Sequence, residues 1–223
     1  LIAKSKANVI VPLGEYALKF VTGLDGIYKH HLSIYNSRAE LGLRKAMPML
    51  HPESIQKVYS DVAYIRFGMT RLKREMGSTT LNIPERKILL SLDCTFDEQV
   101  AYLENIIKNA REVSTDVETG NGHLNTVGLA ISSTEAISID STTNGKTPAE
   151  YRKLWDLYRQ IWSSENIGKI AQNGLFEATW ASKYGIHFNN LSFDTMWAMK
   201  FLHPTLERGL DNVGRIYTPY PYW

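Results

Sequence analysis

The chain has 223 residues, 43% of them hydrophobic and 22% charged, with a formal net charge of +2 and a single cysteine, Cys94. That length buries roughly 70% of the unfolded surface on folding and needs no covalent staple. One cysteine excludes an intramolecular disulfide and a zinc site built from thiolates, and points to a reducing compartment. No apolar run approaches the ~18 residues of a membrane span, and LIAKSKANVIVPLGEY lacks the apolar region and cleavage pattern of a signal peptide, so no membrane partner is expected. The missing initiator Met suggests a true start upstream of Leu1.

Residues 1–11 carry Lys4 and Lys6 ahead of the β-prone Val9, Ile10 and Val11, which predicts an extended arm. Pro12 opens a short helical pattern through Leu13, Tyr16, Ala17, Phe20 and Val21, closed by Gly23 and the Asp25-Gly26 turn. Tyr28 to Tyr35 is ambiguous, and Ser37 is a candidate cap for a helix from Leu41 to Met47, ended by Pro48. From Pro52 to Met76, Ile55, Val58, Tyr59, Val62, Ile65, Met69, Leu72 and Met76 recur at steps of three and four, predicting one long helix with that face buried. Pro52 and Glu53 suit its start, and Arg66, Arg71, Lys73 and Arg74 crowd its last turns before Gly77.

Beyond STTLNIP, Ile88 to Leu92 reads equally as helix or strand. Thr95 and Glu98 form a capping box for a helix carrying Phe96, Val100, Leu103, Ile106, Ile107, Ala110 and Val113. From Ser114 to Lys146 the composition turns to Ser, Thr, Asn and Gly, predicting a polar loop with a hairpin or flap near 126–140. Thr147, Pro148 and Glu150 start a further helix with Tyr151, Leu154, Trp155, Tyr158, Ile161 and Trp162 on one side. Another helix is expected from about Glu165 to Tyr184, and Ser192 is a candidate cap for one carrying Phe193, Met196, Trp197 and Phe201. The chain closes on IYTPYPYW, whose prolines predict a semi-rigid extended tail.

The expected fold is therefore mainly α, a helical core in one domain or two small lobes with extended terminal arms. Its segments are an arm (1–11), a basic helical lobe (12–113), a polar hairpin region (114–146), a second helical lobe (147–212) and an aromatic tail (213–223).

Catalytic signatures are scarce. HExxH, GxSxG, Walker and GxGxxG patterns are all missing, and none of the six histidines pairs at the i, i+4 spacing of a helical zinc site. Cys94 or Asp97 joined to a distant histidine would be the one route to an enzyme, and neither has an identifiable partner base. The expectation is no enzyme, no metal and no cofactor.

Charge is distributed unevenly. Lys29 to Lys87 holds eleven Lys and Arg against five acids, and Ile88 to Glu150 holds three bases against ten acids. Such asymmetry suggests an anionic partner. Phosphate contacts are assigned to Arg38, Arg66, Arg71, Lys73 and Arg74, with Arg44, Lys45, Arg86 and Lys87 as further candidates and Tyr64 and Phe67 as base-stacking platforms. Tyr217, Tyr220, Tyr222 and Trp223 are candidates for self-association.

Ser5-Lys6 followed by VIVPLGEYALKF, then Ile34-Tyr35-Asn36-Ser37-Arg38-Ala39, resembles the start of the core in coat proteins of flexuous filamentous plant viruses of the potyvirus type. About 35 residues carry the likeness, and Arg208 and Asp211 stand only loosely for that family's groove Arg and Asp. The resemblance implies a helical subunit that winds single-stranded RNA in a positive groove as a homopolymer, located in the virion and the host cytoplasm. A helical scaffold domain without nucleic acid is the alternative reading, and an enzyme with an unrecognised site the third.

Overall fold

The β-prone run Val9–Ile10 does pair, as strand β1 of a small three-stranded sheet in the computed structural model, which describes residues 2–222. Two compact units make up the chain: Leu1–Ile83 with His203–Trp223, and Pro84–Leu202. In the first, β1 runs parallel to β3 (Lys45–Ala46), and β2 (Tyr35–Asn36) antiparallel to it. Helix α1 (Glu15–Thr22) ends at Gly23, whose φ of 83° is the left-handed conformation that stops a helix. Its Glu15 carboxylate accepts from the amides of Gly26 and Ile27 at 2.7 Å, so it caps α2 (Ile27–His30). The helix expected over 41–47 is absent: Arg38 to Leu43 is a 3-10 turn and loop, and the Ser37 hydroxyl accepts the Arg44 amide at 3.0 Å instead.

The long helix expected over 52–76 divides into α3 (Ser54–Lys57) and α4 (Asp61–Glu75). Its buried face differs from the apolar stripe. Asp61, Tyr64, Gly68 and Arg71 face inward, while Tyr59 is 80% exposed and Met69 and Met76 are 57% exposed. Gly68 explains the choice. A Cβ there would lie 2.6 Å from the Met49 methyl and 3.1 Å from Leu32, so α4 approaches its neighbours at the one position without a side chain. Ile34, Met47 and Met49 form an apolar cluster beside it.

The second unit is built on a six-stranded sheet. In chain order it comprises β4 (Lys87–Leu90), α5 (Phe96–Asn109), β5 (Glu112–Gly120), β6 (His123–Ala130), β7 (Glu135–Asp140), α6 (Pro148–Trp162), β8 (Gly168–Ala171), α7 (Gly174–Lys183), β9 (Leu191–Asp194) and α8 (Thr195–Leu202). The strand order is β4-β7-β6-β5-β8-β9; β5, β6 and β7 form an antiparallel meander, and β4, β8 and β9 add parallel strands at the flanks. Helix α9 (Leu210–Tyr217) then returns the chain to the first unit.

Both predicted capping boxes are present, at Thr95/Glu98 and Thr147/Glu150. They start α5 and α6, which place Leu103, Ile106, Leu154, Tyr158, Ile161 and Trp162 in one core with the inward residues of the meander. Tyr158 and Trp162 stack at 5.3 Å, and the Trp162 indole donates to the Thr115 hydroxyl at 3.1 Å.

The mainly α expectation is thus overturned by a mixed α/β fold. In β5, Val113, Thr115 and Val117 are buried while Glu112, Ser114, Asp116 and Glu118 are exposed, a strict two-residue alternation inside a stretch whose polar composition argues for a loop. The hairpin expected near 126–140 is present as β6 and β7, built into the meander rather than standing apart as a flap. The helix expected over 165–184 is β8, a turn and the shorter α7, and the start expected at Ser192 is β9.

Candidate active site

The exposed side of the meander carries a row of small and acidic residues in register. Ser114, Asp116 and Glu118 of β5 face Ala130, Gly128 and Thr126 of β6, which face Ala136, Ser138 and Asp140 of β7. Gly128 lies opposite Asp116, where a Cβ would touch the Asp116 carbonyl oxygen and Cβ at 3.7 and 3.8 Å. Two carboxylates two residues apart on one strand share a face at about 7 Å.

A third carboxylate comes from α7. Glu177 is 2% exposed, and its Oε2 has no hydrogen-bond partner. Burial pushes its pKa up to about 7, with Asp116 and Asp194 adding repulsion and the Val117 amide pulling the other way. Loss of water around Asp116 raises its pKa also.

The turn into α7 fixes where Glu177 sits. Asn173 adopts a left-handed φ of 64°, and a Cβ on Gly174 would lie 2.7 Å from the Leu191 side chain, so the Asn-Gly pair lets α7 start tight against β9. Asp194 at the end of β9 ties both following helices. Its Oδ2 accepts the Gly174 amide at 2.8 Å, and its Oδ1 accepts the amides of Asn173, Met196 and Trp197 at 3.2, 2.9 and 3.1 Å. Asp194 is therefore a double helix cap, with its acceptors spent on backbone.

The remaining carboxylates, Asp116, Glu118 and Glu177, are hard oxygen donors of the kind that Mg2+ and Mn2+ take. The unpartnered, repelled oxygen of Glu177 is the observation that fits a cation there. Among the described residues no three His, Cys, Asp or Glu stand close enough together to hold an ion as placed. Asp116 and Glu118 lie on the same face of β5, and Asp116 is the one whose charge reaches Glu177.

None of these groups was singled out by the linear pattern. The alternation from Val113 to Glu118 carried the signal, while Glu177 has none without the fold. The Cys94/Asp97 route is closed: the thiol donates to the Leu90 carbonyl at 3.2 Å, burial raises its pKa, and Asp97 lies in the first turn of α5.

The residues assigned to phosphate binding differ in exposure. Arg38, Arg66, Lys73 and Arg74 are exposed, as are Arg86 and Lys87, the latter 3.9 Å from Glu135. Arg71 is buried and donates to the Arg215 carbonyl at 2.8 Å. Lys45 is 2% exposed and paired with Glu75 at 3.1 Å. Arg44 donates to the carbonyls of Ser5, Ala7, Leu41 and Ile2, tying down the start of the chain.

Tyr64 is packed edge-on against His31 at 4.7 Å and Phe67 against His203 at 4.9 Å, so both act as packing rings here. In the tail, the Tyr217 hydroxyl meets His203 Nε2 at 2.8 Å, the Tyr222 ring packs edge-on against His30 at 5.5 Å, and the Tyr220 amide donates to Thr218. Trp223 lies outside the described residues.

The sequence pattern of a family described as 3′-5′ exonuclease matches residues 94–218, more than half of the chain. None of the curated proteins matches it. Solved structures with a similar fold include the EXO domain of Nibbler from Aedes aegypti, at 14% identity and a TM-score of 0.44, covering 61% of this chain and 71% of that one. The catalytic core of RRP6 from Trypanosoma brucei follows at 18% and 0.42, covering 59% and 36%. RNase D from Trypanosoma brucei, solved with RNA U12, stands at 15% and 0.39, covering 50% and 38%. Likenesses this low carry no weight beside the sequence match.

Proposed function

Because the chain belongs to the 3′-5′ exonuclease family, we propose that its Pro84–Leu202 unit removes nucleotides from the 3′ end of a nucleic-acid strand, with Asp116, Glu118 and Glu177 holding a divalent cation. Membership overturns the expectation of a coat or nucleocapsid protein, the alternative of a scaffold domain and the expectation of no enzyme. A nucleic-acid strand remains as partner; a homopolymer does not. The motifs whose absence argued against an enzyme depend on His, Ser or Gly-rich loops, and carboxylates on a strand need none of these.

A cation bound by these carboxylates would activate a water and offset charge on the scissile phosphate. The chain's own contribution is positional. Asp194 anchors the start of α7 and with it Glu177. Glu177, raised to about 7 by burial, is about half protonated near neutrality, and a cation held there would favour its carboxylate form. The buried Glu177 Oε2, without a hydrogen-bond partner and repelled by Asp116, is the structural observation that supports this reading.

The test is incubation of the chain with 5′-labelled single-stranded DNA and RNA in Mg2+ or Mn2+. A ladder shortened from the 3′ end is expected, abolished by a chelator. Glu177→Gln and Asp116→Asn should each lower the rate by more than the roughly 10–100-fold typical of losing an outer-shell partner of a metal ligand. A folded chain that neither binds Mn2+ nor shortens either strand would refute the proposal.

A further inference from the structure

Strand β9 and helix α8 of the Pro84–Leu202 unit leave aromatic rings in solvent. Phe193 is 50% exposed, Trp197 45% and Phe201 79%, while Met199 is the residue of α8 that is buried. Burying an aromatic ring is favourable, so rings left out side by side on one surface mark a place where something binds.

Sheet register puts this surface beside the carboxylates. Phe193 pairs with Ile170 of β8, and Ile170 pairs with Ser114 of β5. Directly paired residues share a sheet face, and Ser114 shares its face with Asp116 and Glu118, so Phe193 stands on the same side of the sheet as the acidic row. Two strand spacings, about 10 Å, separate it from Ser114. Its neighbour Asp194 accepts the Trp197 amide at 3.1 Å and the Gly174 amide at 2.8 Å. One carboxylate therefore sets both the first turn of α8 and the start of α7, which carries Glu177.

The Trp197 and Phe201 rings follow each other along α8, with centroids 6.4 Å apart and planes tilted by 34°. The Lys200 ammonium lies 4.8 Å from the Trp197 centroid. α8 carries no acid, and Asp194 spends its oxygens on backbone amides, so neither β9 nor α8 offers Lys200 a free carboxylate. Aromatic faces beside an unopposed cation complement a chain of anionic phosphates that carries flat bases. A membrane surface is held by clusters of lysine and arginine, and α8 has one lysine.

We propose that Phe193, Trp197 and Phe201 form a stacking platform for unpaired bases behind the 3′ end of the strand, with Lys200 turned onto a phosphate. This role rests on the nuclease reading of the same unit. It adds that the unit takes its substrate single-stranded and without regard to sequence, since every base has a π face and the bases of a duplex hide theirs in the stack.

Fluorescence anisotropy of a labelled oligothymidylate, titrated with the full chain carrying Glu177→Gln to prevent degradation, reads the platform without turnover. Phe201→Ala and Phe201→Leu in that chain should each weaken binding about tenfold, because leucine keeps apolar bulk and loses the ring, while Phe201→Tyr should bind like its parent. Lys200→Gln should reduce the slope of log affinity against log salt by about 0.7, the share of one phosphate contact. A blunt duplex of equal length should bind at least tenfold more weakly. No binding of the strand, equal binding of the duplex, or unchanged affinity in Phe201→Ala or Phe201→Leu would each overturn the platform. So would a wild-type dimer that Phe201→Ala dissociates, which would assign this face to a second copy. Hydrolysis of the p-nitrophenyl ester of thymidine 5′-monophosphate separates the two readings, because it needs the cation site and no strand. Phe201→Ala should keep the wild-type rate on this ester, and loss of that rate would make Phe201 a structural residue. A wild-type chain that leaves the ester intact yet binds strands through Phe201 would refute the nuclease reading and keep the platform.

Discussion

In the Pro84–Leu202 unit, α5 and α6 press Leu103, Ile106, Tyr158 and Trp162 onto Val113, Val127, Leu129 and Ile139, and its acidic groups gather on the other side of the sheet. In the unit of Leu1–Ile83 and His203–Trp223, comparable interior positions hold His31, Lys45, Asp61, Arg71, Asn212 and Arg215. A core of the first kind is stabilised by area removed from water and by close packing, so it tolerates polar change outside and suffers from voids inside. An interior of the second kind depends on every donor finding its acceptor, because a buried group left alone costs its full desolvation.

The largest expected effect breaks the apolar side. Trp162 is 1% exposed, stacks on Tyr158 and donates to Thr115. Trp162→Ala should destabilise its unit by about 4 kcal/mol through lost burial and the void left behind. Hydrogen exchange resolved by peptide reads this unit by unit, where a single melting curve would merge two transitions. Protection should fall across β5 to β7 and α6; unchanged protection there would mean that the indole is not a core residue.

Arg215→Met tests the polar side at nearly the same size. The methionine keeps apolar volume and removes all five donors, leaving the Tyr28 carbonyl, Asn212 and Asp211 without their partner. A loss of about 3 kcal/mol is expected in the first unit. Improved stability would show that the Arg215 hydrogen bonds do not hold the unit together.

The two interiors should also separate by pH. His31 titrates at about 4 when folded, against an ordinary histidine value of 6.5, because burial first and Arg215 second disfavour its charge. Between those values the unfolded chain binds more protons, so stability rises with pH. The contribution is complete above about 6.5 and is lost as pH falls toward 4, up to about 3 kcal/mol over that range. His31→Gln should flatten this acid limb in denaturant titrations followed by exchange in the first unit. A wild-type limb just as flat would place the imidazole in water.

How much of this was legible follows the same division. The starts of α5 and α6 were readable to the residue, because capping boxes and a 3.6-residue apolar period agree, but the period carried α5 on to Val113, which belongs to β5. The sheet was readable only in part. Its meander strands spend half their residues on an open polar face, so 114–146 has the composition of a loop while Val113, Thr115 and Val117 carry the strand. In α4 the period was present and misleading, since the close approach at Gly68 turned Tyr64 and Arg71 inward and left Met69 outside. Of the candidate site, Asp116 and Glu118 could be found by asking which acids share a strand face. Glu177 becomes visible only once β8, α7 and β9 bring it to the sheet.

The smallest effect concerns helix starts, where the units again differ. α5 and α6 carry reciprocal capping boxes, while the N-cap residues of α1 and α4 make no side-chain cap hydrogen bond and α2 is capped only by the distant Glu15. At α6 the Thr147 hydroxyl accepts the Glu150 amide at 3.2 Å, and the Glu150 carboxylate accepts the Thr147 amide at 2.7 Å. Thr147→Ala should cost about 1 kcal/mol, seen as faster exchange in the first turn of α6. The Thr147 backbone amide, with its hydroxyl second, holds the Glu150 carboxyl below the usual carboxylate range. A depressed carboxyl contributes stability above its unfolded pKa and loses it as pH falls through the folded value. The difference between Thr147→Ala and wild type should therefore narrow under acid, because the Thr147 hydroxyl donates to the ionised Glu150 carboxylate at 2.7 Å, a bond that alanine lacks and that protonation weakens in the wild type. A difference independent of pH would assign the cap to the threonine hydroxyl alone and leave Glu150 as a solvated bystander.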